Sequence, residues 1–67
     1  MFRYLLREAE GEPHDPPAYL SLIHNWSVGE AFTLGAGQSR RITAIDWDPP
    51  QELVDAGFRA IFFVDAL

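Results

Sequence analysis

Sixty-seven residues make one domain, and nearly every apolar side chain must go inside to offset an ordering cost of roughly 1.5 kcal/mol per residue. Ten carboxylates face five arginines and no lysine, a net charge of −5 that disfavours DNA and anionic membranes as partners. With no cysteine, the chain has neither a disulfide nor a thiolate metal site and relies on packing.

Phe2, Tyr4 and Leu6 alternate with Arg3, Leu5 and Arg7. That period predicts a first strand over residues 1–9 with Phe2, Tyr4 and Leu6 inward. The segment turns charged too early for a signal peptide, and no apolar run approaches the ~20 residues of a membrane span. The expected setting is cytoplasmic, and the Asn25-Trp26-Ser27 acceptor triplet then carries no weight. Glu10 to Pro17 holds three prolines in five positions, which predicts an exposed acidic loop. Ala18 to Ile23 is a second strand. Leu20 and Leu22 share one face and Tyr19, Ser21 and Ile23 the other, and either face can be the inward one.

His24 to Glu30 is a turn segment in which Asn25 and Gly29 tolerate positive φ. Ala31 to Leu34 follows as a third strand with Phe32 and Leu34 inward. The two glycines of Gly35-Ala36-Gly37-Gln38 make a hairpin loop. Arg40 to Trp47 is the return strand. Its parity breaks, because Ile42 and Ala44 share one face while Ile45 and Trp47 share the other, and a bulge near Thr43–Ile45 reconciles them. Asp48 to Gly57 carries helix signals. Asp48 is the N-cap, Gln51 completes a capping box, Pro49 takes the first helical position and Gly57 the left-handed stop, with Leu53 and Val54 on the buried side.

Phe58 to Val64 closes the chain. One face carries Phe58, Ala60, Phe62 and Val64, the other Arg59, Ile61 and Phe63 followed by Asp65. A strand apolar on both faces is central and covered twice. The order β-β-β-β-α-β with short connections predicts a mainly β fold with one short helix. Five strands would form a bent antiparallel sheet closing into a small SH3-like barrel. A half-open sheet with the helix on one face is the alternative.

Asn25-Trp26-x-Val28-Gly29-Glu30-x-Phe32, Arg41-Ile42-x-Ala44-Ile45 and Gly57-x-x-x-Ile61-Phe62-x-Val64, with Tyr4 to Arg7 and the Gly11 to Pro16 loop, cover nearly the whole chain. In these it resembles a group of short uncharacterised actinobacterial proteins. The resemblance implies no activity and supplies no catalytic residues.

The chemistry-bearing residues are sparse. Ser21, Ser27 and Ser39 lack a nucleophile-elbow context, and no carboxylates are paired by spacing, so an enzyme is not expected. Glu10, Glu12, His14 and Asp15 match no known metal loop, and His14 and His24 lack zinc-site spacing. No cofactor or metal is expected, and a weak metal or small-molecule site at the two histidines is the minor alternative. His24, Trp26, Arg40, Arg41 and Trp47 are candidates for a ligand groove. The two arginines with the tryptophans would also suit a single-stranded nucleic acid. Against the groove, Trp26 can simply plug the barrel end.

The second apolar face of the last strand, Ile61 and Phe63 with Leu5 or Leu67, is the candidate interface. Either Leu53 and Val54 of the helix cover it, or a partner does. The expected function is therefore a non-enzymatic protein-interaction module, acting on another protein or as a homodimer.

Overall fold

The computed structural model describes residues 1–67. Five strands and a short helix follow in the expected order: β1 (Phe2–Glu8), β2 (Pro13–Ser21), β3 (Ala31–Thr33), β4 (Ser39–Asp46), α1 (Gln51–Asp55) and β5 (Phe58–Ala66). They form one sheet in the spatial order β2-β1-β5-β4-β3, curled into a small barrel-like half-shell. Three of the pairings are antiparallel, as expected. The fourth, β1 with β5, is parallel, because β5 enters the sheet between the two hairpins rather than beside its own predecessor alone.

β5 holds the centre, as its two apolar faces require. Ala60, Phe62 and Val64 face the interior with Tyr4 and Leu6 from β1 and Ile42 from β4. Trp26, Phe32 and Leu34 complete the buried cluster. The Tyr4 and Phe62 rings stack at 4.3 Å. The β4 bulge lies where the sequence demands it. Register shifts between Ile42 and Ala44, so Ile42 sits opposite Val64 and Ile45 opposite Phe62, both inward. Thr43 is the extra residue, and its hydroxyl donates to the Phe63 carbonyl at 3.1 Å.

Three local expectations change. Strand β2 starts at Pro13, not at Ala18, and ends at Ser21. Its prolines are admissible because β2 is an edge strand, where missing N–H donors leave no ladder bond unmade. The Gly35–Gln38 loop joins the β3–β4 hairpin as expected, wound as a 3-10 turn, Gly35–Gly37, with Ala36 at φ 63°. Asn25 does not adopt positive φ, whereas Gly29 does, at 95°.

The helix starts later than Asp48. Pro49 precedes Pro50, which disfavours a helical conformation at Pro49, so Pro50 stands at the N-cap with no side-chain bond, and its carbonyl accepts the Leu53 N–H at 2.9 Å and the Val54 N–H at 3.2 Å. The Asp46 carboxylate instead accepts the Asp48 N–H at 2.9 Å. Only five residues long, α1 turns one side inward: Leu53 is half-buried and Val54 is 45% exposed. Gly57 ends it at φ 94° as expected.

Phe58 also changes face. Arg3 is opposite Phe58 and Tyr4 opposite Ala60, so Arg59 is an extra residue and Phe58 joins Ile61 and Phe63 on the outside. No helix is long and apolar enough to cross a membrane.

Candidate interaction face

Two edge strands of a five-stranded sheet should leave a gap, and side chains fill it here. Tyr19 of β2 and Phe32 of β3 stack at 4.4 Å, and Trp26, from the connection between those strands, meets both rings and Phe62 edge-on. Trp26 is 8% exposed and belongs to the core, not to a groove. Its indole N–H finds no acceptor there.

The mouth of the shell is polar. His14, 4% exposed, points inward from β2. The Pro16 carbonyl can only accept, so Nδ1 donates to it at 2.8 Å. The Arg40 Nε–H can only donate, so it gives its proton to Nε2 at 3.0 Å. Together these fix the neutral Nδ1–H tautomer. The Glu8 carboxylate stands 3.7 Å from Nε2. Arg40 is therefore committed to the interior. Its neighbour Arg41, opposite Asp65, points the other way.

The five groove candidates do not line one groove. Arg40 is turned in, Arg41 out and Trp26 is buried; His24 rests against Phe2 with ring centroids 5.7 Å apart. Trp47 lies beyond the other end of β4, seven residues or roughly 23 Å from Arg40 along an extended strand. It is 41% exposed and carries the Arg59 guanidinium over its ring at 5.5 Å. Glu10, Glu12 and Asp15 are exposed and diverge from the buried His14, and no three His, Asp or Glu groups converge at metal-binding distance.

The outer face of the sheet brings the interface candidates together. Leu5 is opposite Ile61 and Arg7 opposite Phe63. Ile61 is 6% exposed and α1 contacts β5, so this part of the face is covered within the chain. Leu5 and Phe63 stay half-exposed. Leu67, 63% exposed, lies past the strand end, roughly 13 Å from Phe63, and marks the rim.

The face extends further than the interface candidates suggested. Across β1, Leu5 is opposite Ala18 and Arg3 opposite Leu20, so β2 adds its own outward row. On that strand the usual pattern is inverted. Leu20 is 54% exposed while Ser21 is buried, its hydroxyl accepting the Ile23 N–H at 3.0 Å; Leu22, just beyond, is 75% exposed. The signal was the alternation in 18–23. Its parity was legible, but only the pairing of Tyr19 with Tyr4 on the inside assigns the leucines to water.

Charge on this face is one-sided near its centre. Arg3 donates to the Ala56 carbonyl at 2.6 Å and lies over the Phe58 ring at 4.4 Å. Arg7 reaches only the Gly11 carbonyl, at 3.4 Å. No arginine in the chain comes within 4.0 Å of a carboxylate.

Behind the face, the Tyr4 hydroxyl donates to the Ile23 carbonyl at 2.8 Å. Burial raises its pKa above the ordinary 10.0, Arg59 pulls it down and Tyr19 pushes it up.

No known protein family, curated protein or solved structure matches the chain.

Proposed function

We propose that this chain is a non-enzymatic interaction module that binds a protein partner through the outer face of β2, β1 and β5. The partner is another protein or a second copy of the chain, and the acidic, cysteine-free composition suits a cytoplasmic setting. The observation that carries the reading is the inverted strand β2. A domain of 67 residues needs its large aliphatic groups inside, yet it leaves Leu20 and Leu22 in water and buries Ser21 and His14. Next to them, Leu5 and Phe63 are half-exposed, so the apolar positions run across three strands instead of standing singly.

Site-specific photo-crosslinking in the cells that make the protein tests this. A crosslinker at Leu20 or Phe63 should give discrete protein adducts, and one at Val28, which is more exposed than either but lies on the β2–β3 connection, should give none. Adducts from all three positions alike, or from none, would count against the reading.

A further inference from the structure

The proposed face also has a charge signature, and the following inference rests on that reading. Along β1 the outward positions are Arg3, Leu5 and Arg7, with Ala18 and Leu20 beside them on β2 and Ile61 and Phe63 on β5. This chain has ten carboxylates, yet none stands among those positions. The nearest acids on the paired strands are Asp46, opposite Ile61 on β4, Asp65, two residues past Phe63, and the exposed Asp15 on β2, between Pro13 opposite Arg7 and Ala18 opposite Leu5. Arg41 adds a further outward guanidinium on β4. Arg3 and Arg7 have no carboxylate within 4.0 Å, whereas Arg41 stands opposite Asp65. In an acidic protein, local counter-charges are plentiful, so unpaired arginines gathered around a half-exposed apolar strip are an arrangement with complementary potential for an external anion.

We infer that the partner presents an acidic, apolar segment, with carboxylates spaced to meet Arg3 and Arg7 and large apolar side chains between them to meet Leu5 and Leu20. The two arginines are four residues apart on one strand, roughly 13 Å. A guanidinium on such a site forms charge-assisted, two-pronged bonds with a carboxylate, which fixes register as well as adding affinity. A second copy laid face to face would set Arg3 and Arg7 against the same arginines, which is unfavourable. A nucleic acid meets a chain of net charge −5, and the two aromatic rings of this face are partly covered, Phe58 by the Arg3 guanidinium at 4.4 Å.

Fluorescence anisotropy with labelled synthetic peptides of about 15 residues, long enough to span the two arginines in extended form, tests the inference. One peptide interleaves Glu with Leu, a second replaces every Glu by Lys, and an oligothymidine serves as the third probe. The Glu/Leu peptide should bind, and its affinity should fall several-fold between about 50 and 300 mM salt. Arg7→Glu and Leu20→Ser should each weaken it about tenfold or more, with an unchanged amide NMR fingerprint outside the substituted site. Both side chains are solvent-facing, so neither variant threatens the fold.

Equal binding of the Lys/Leu peptide, tighter binding of oligothymidine, or no binding of the Glu/Leu peptide would each overturn the inference. Sedimentation showing a homodimer that Leu20→Ser dissolves would also overturn it. Crosslinks from Leu20 and Phe63 in cells would leave the interaction reading standing in every one of those cases.

Discussion

Tyr19 and Phe32 stack with ring centroids 4.4 Å apart, although their strands are the two opposite edges of the sheet. The shell is therefore closed by aromatic contact in place of a fifth set of backbone hydrogen bonds. Two exposed edges would invite pairing with other chains. Here they face one another, and Trp26 sits against both rings. Phe32→Ala should cost about 3–5 kcal/mol, the range for removing a buried phenylalanine. Tyr19→Ala, at a half-buried site, should cost less. A double-mutant cycle by urea denaturation should return a coupling of about 0.5–1.5 kcal/mol. Strict additivity of the two substitutions would show that the edges do not support each other.

The mouth of the shell depends on His14 as an acceptor for Arg40. His14→Leu removes that acceptor and leaves the Pro16 carbonyl and the Arg40 Nε–H without partners, at about 1–3 kcal/mol for a stranded buried group. Glutamine carries both a donor and an acceptor, so His14→Gln should recover much of the loss. Chemical denaturation of the three proteins checks the order wild type, Gln, Leu. If Leu matched wild type, the polar trio would be incidental to stability.

Tyr4 gives the fold a dependence on alkaline pH. Its hydroxyl holds its proton in the folded chain to a higher pH than in the unfolded chain, whose value is 10.0. Below that value both states are protonated and the pH has no effect through this group. Above it the unfolded state loses protons first, so stability falls as pH rises from there through the raised folded pKa. The melting temperature should drop more steeply above pH 10 than that of Tyr4→Phe. The Phe variant starts lower, because the Ile23 carbonyl loses its donor, and its curve should be flatter. Parallel curves would remove Tyr4 as the cause.

The elements of this fold were legible because their local signals agree. The Phe2/Tyr4/Leu6 period, the broken parity around Thr43 and the two-sided apolar run of β5 each have one structural solution. What was not legible depends on pairing between distant segments. The prolines at 13, 16 and 17 read as a loop until β2 is known to be an edge strand. The outward placement of Leu20 waits on the partner of Tyr19, and the face of Phe58 on an extra residue at Arg59 that only the β1 register reveals. The candidate site was half visible for the same reason. Ile61 and Phe63 follow from the alternation of β5 and Leu5 from that of β1, whereas Arg3, Arg7 and Leu20 join them only through the sheet.

Gly29 offers a clean test of the connection between β2 and β3. It sits at φ 95° and its N–H donates to the Ile42 carbonyl at 2.8 Å, which carries the β4 ladder past the end of β3. A Cβ there would meet nothing within 4 Å, so substitution acts through backbone strain alone. Gly29→Val should cost about 1–3 kcal/mol, and Gly29→Asn less, since asparagine tolerates left-handed backbone. Equal melting temperatures for wild type and Val would remove this turn from the account of stability.

Ile61 and Phe63 share a face but not an environment, and one substitution separates structure from interaction. Ile61 is 6% exposed with α1 packed on its strand, whereas Phe63 is half-exposed. Ile61→Asp buries a carboxylate at a position covered from water, opposite Leu5, and should unfold much of the population or cost about 3 kcal/mol or more. Phe63→Asp places its carboxylate beside Arg7, its partner across the parallel pair, and should leave the fold intact with a melting temperature within a few degrees of wild type. It should abolish crosslinking from Leu20, because it puts a negative charge where the partner's own carboxylates approach Arg7. Retention of the Leu20 adducts in a folded Phe63→Asp protein would separate β5 from the binding face and confine that face to β1 and β2.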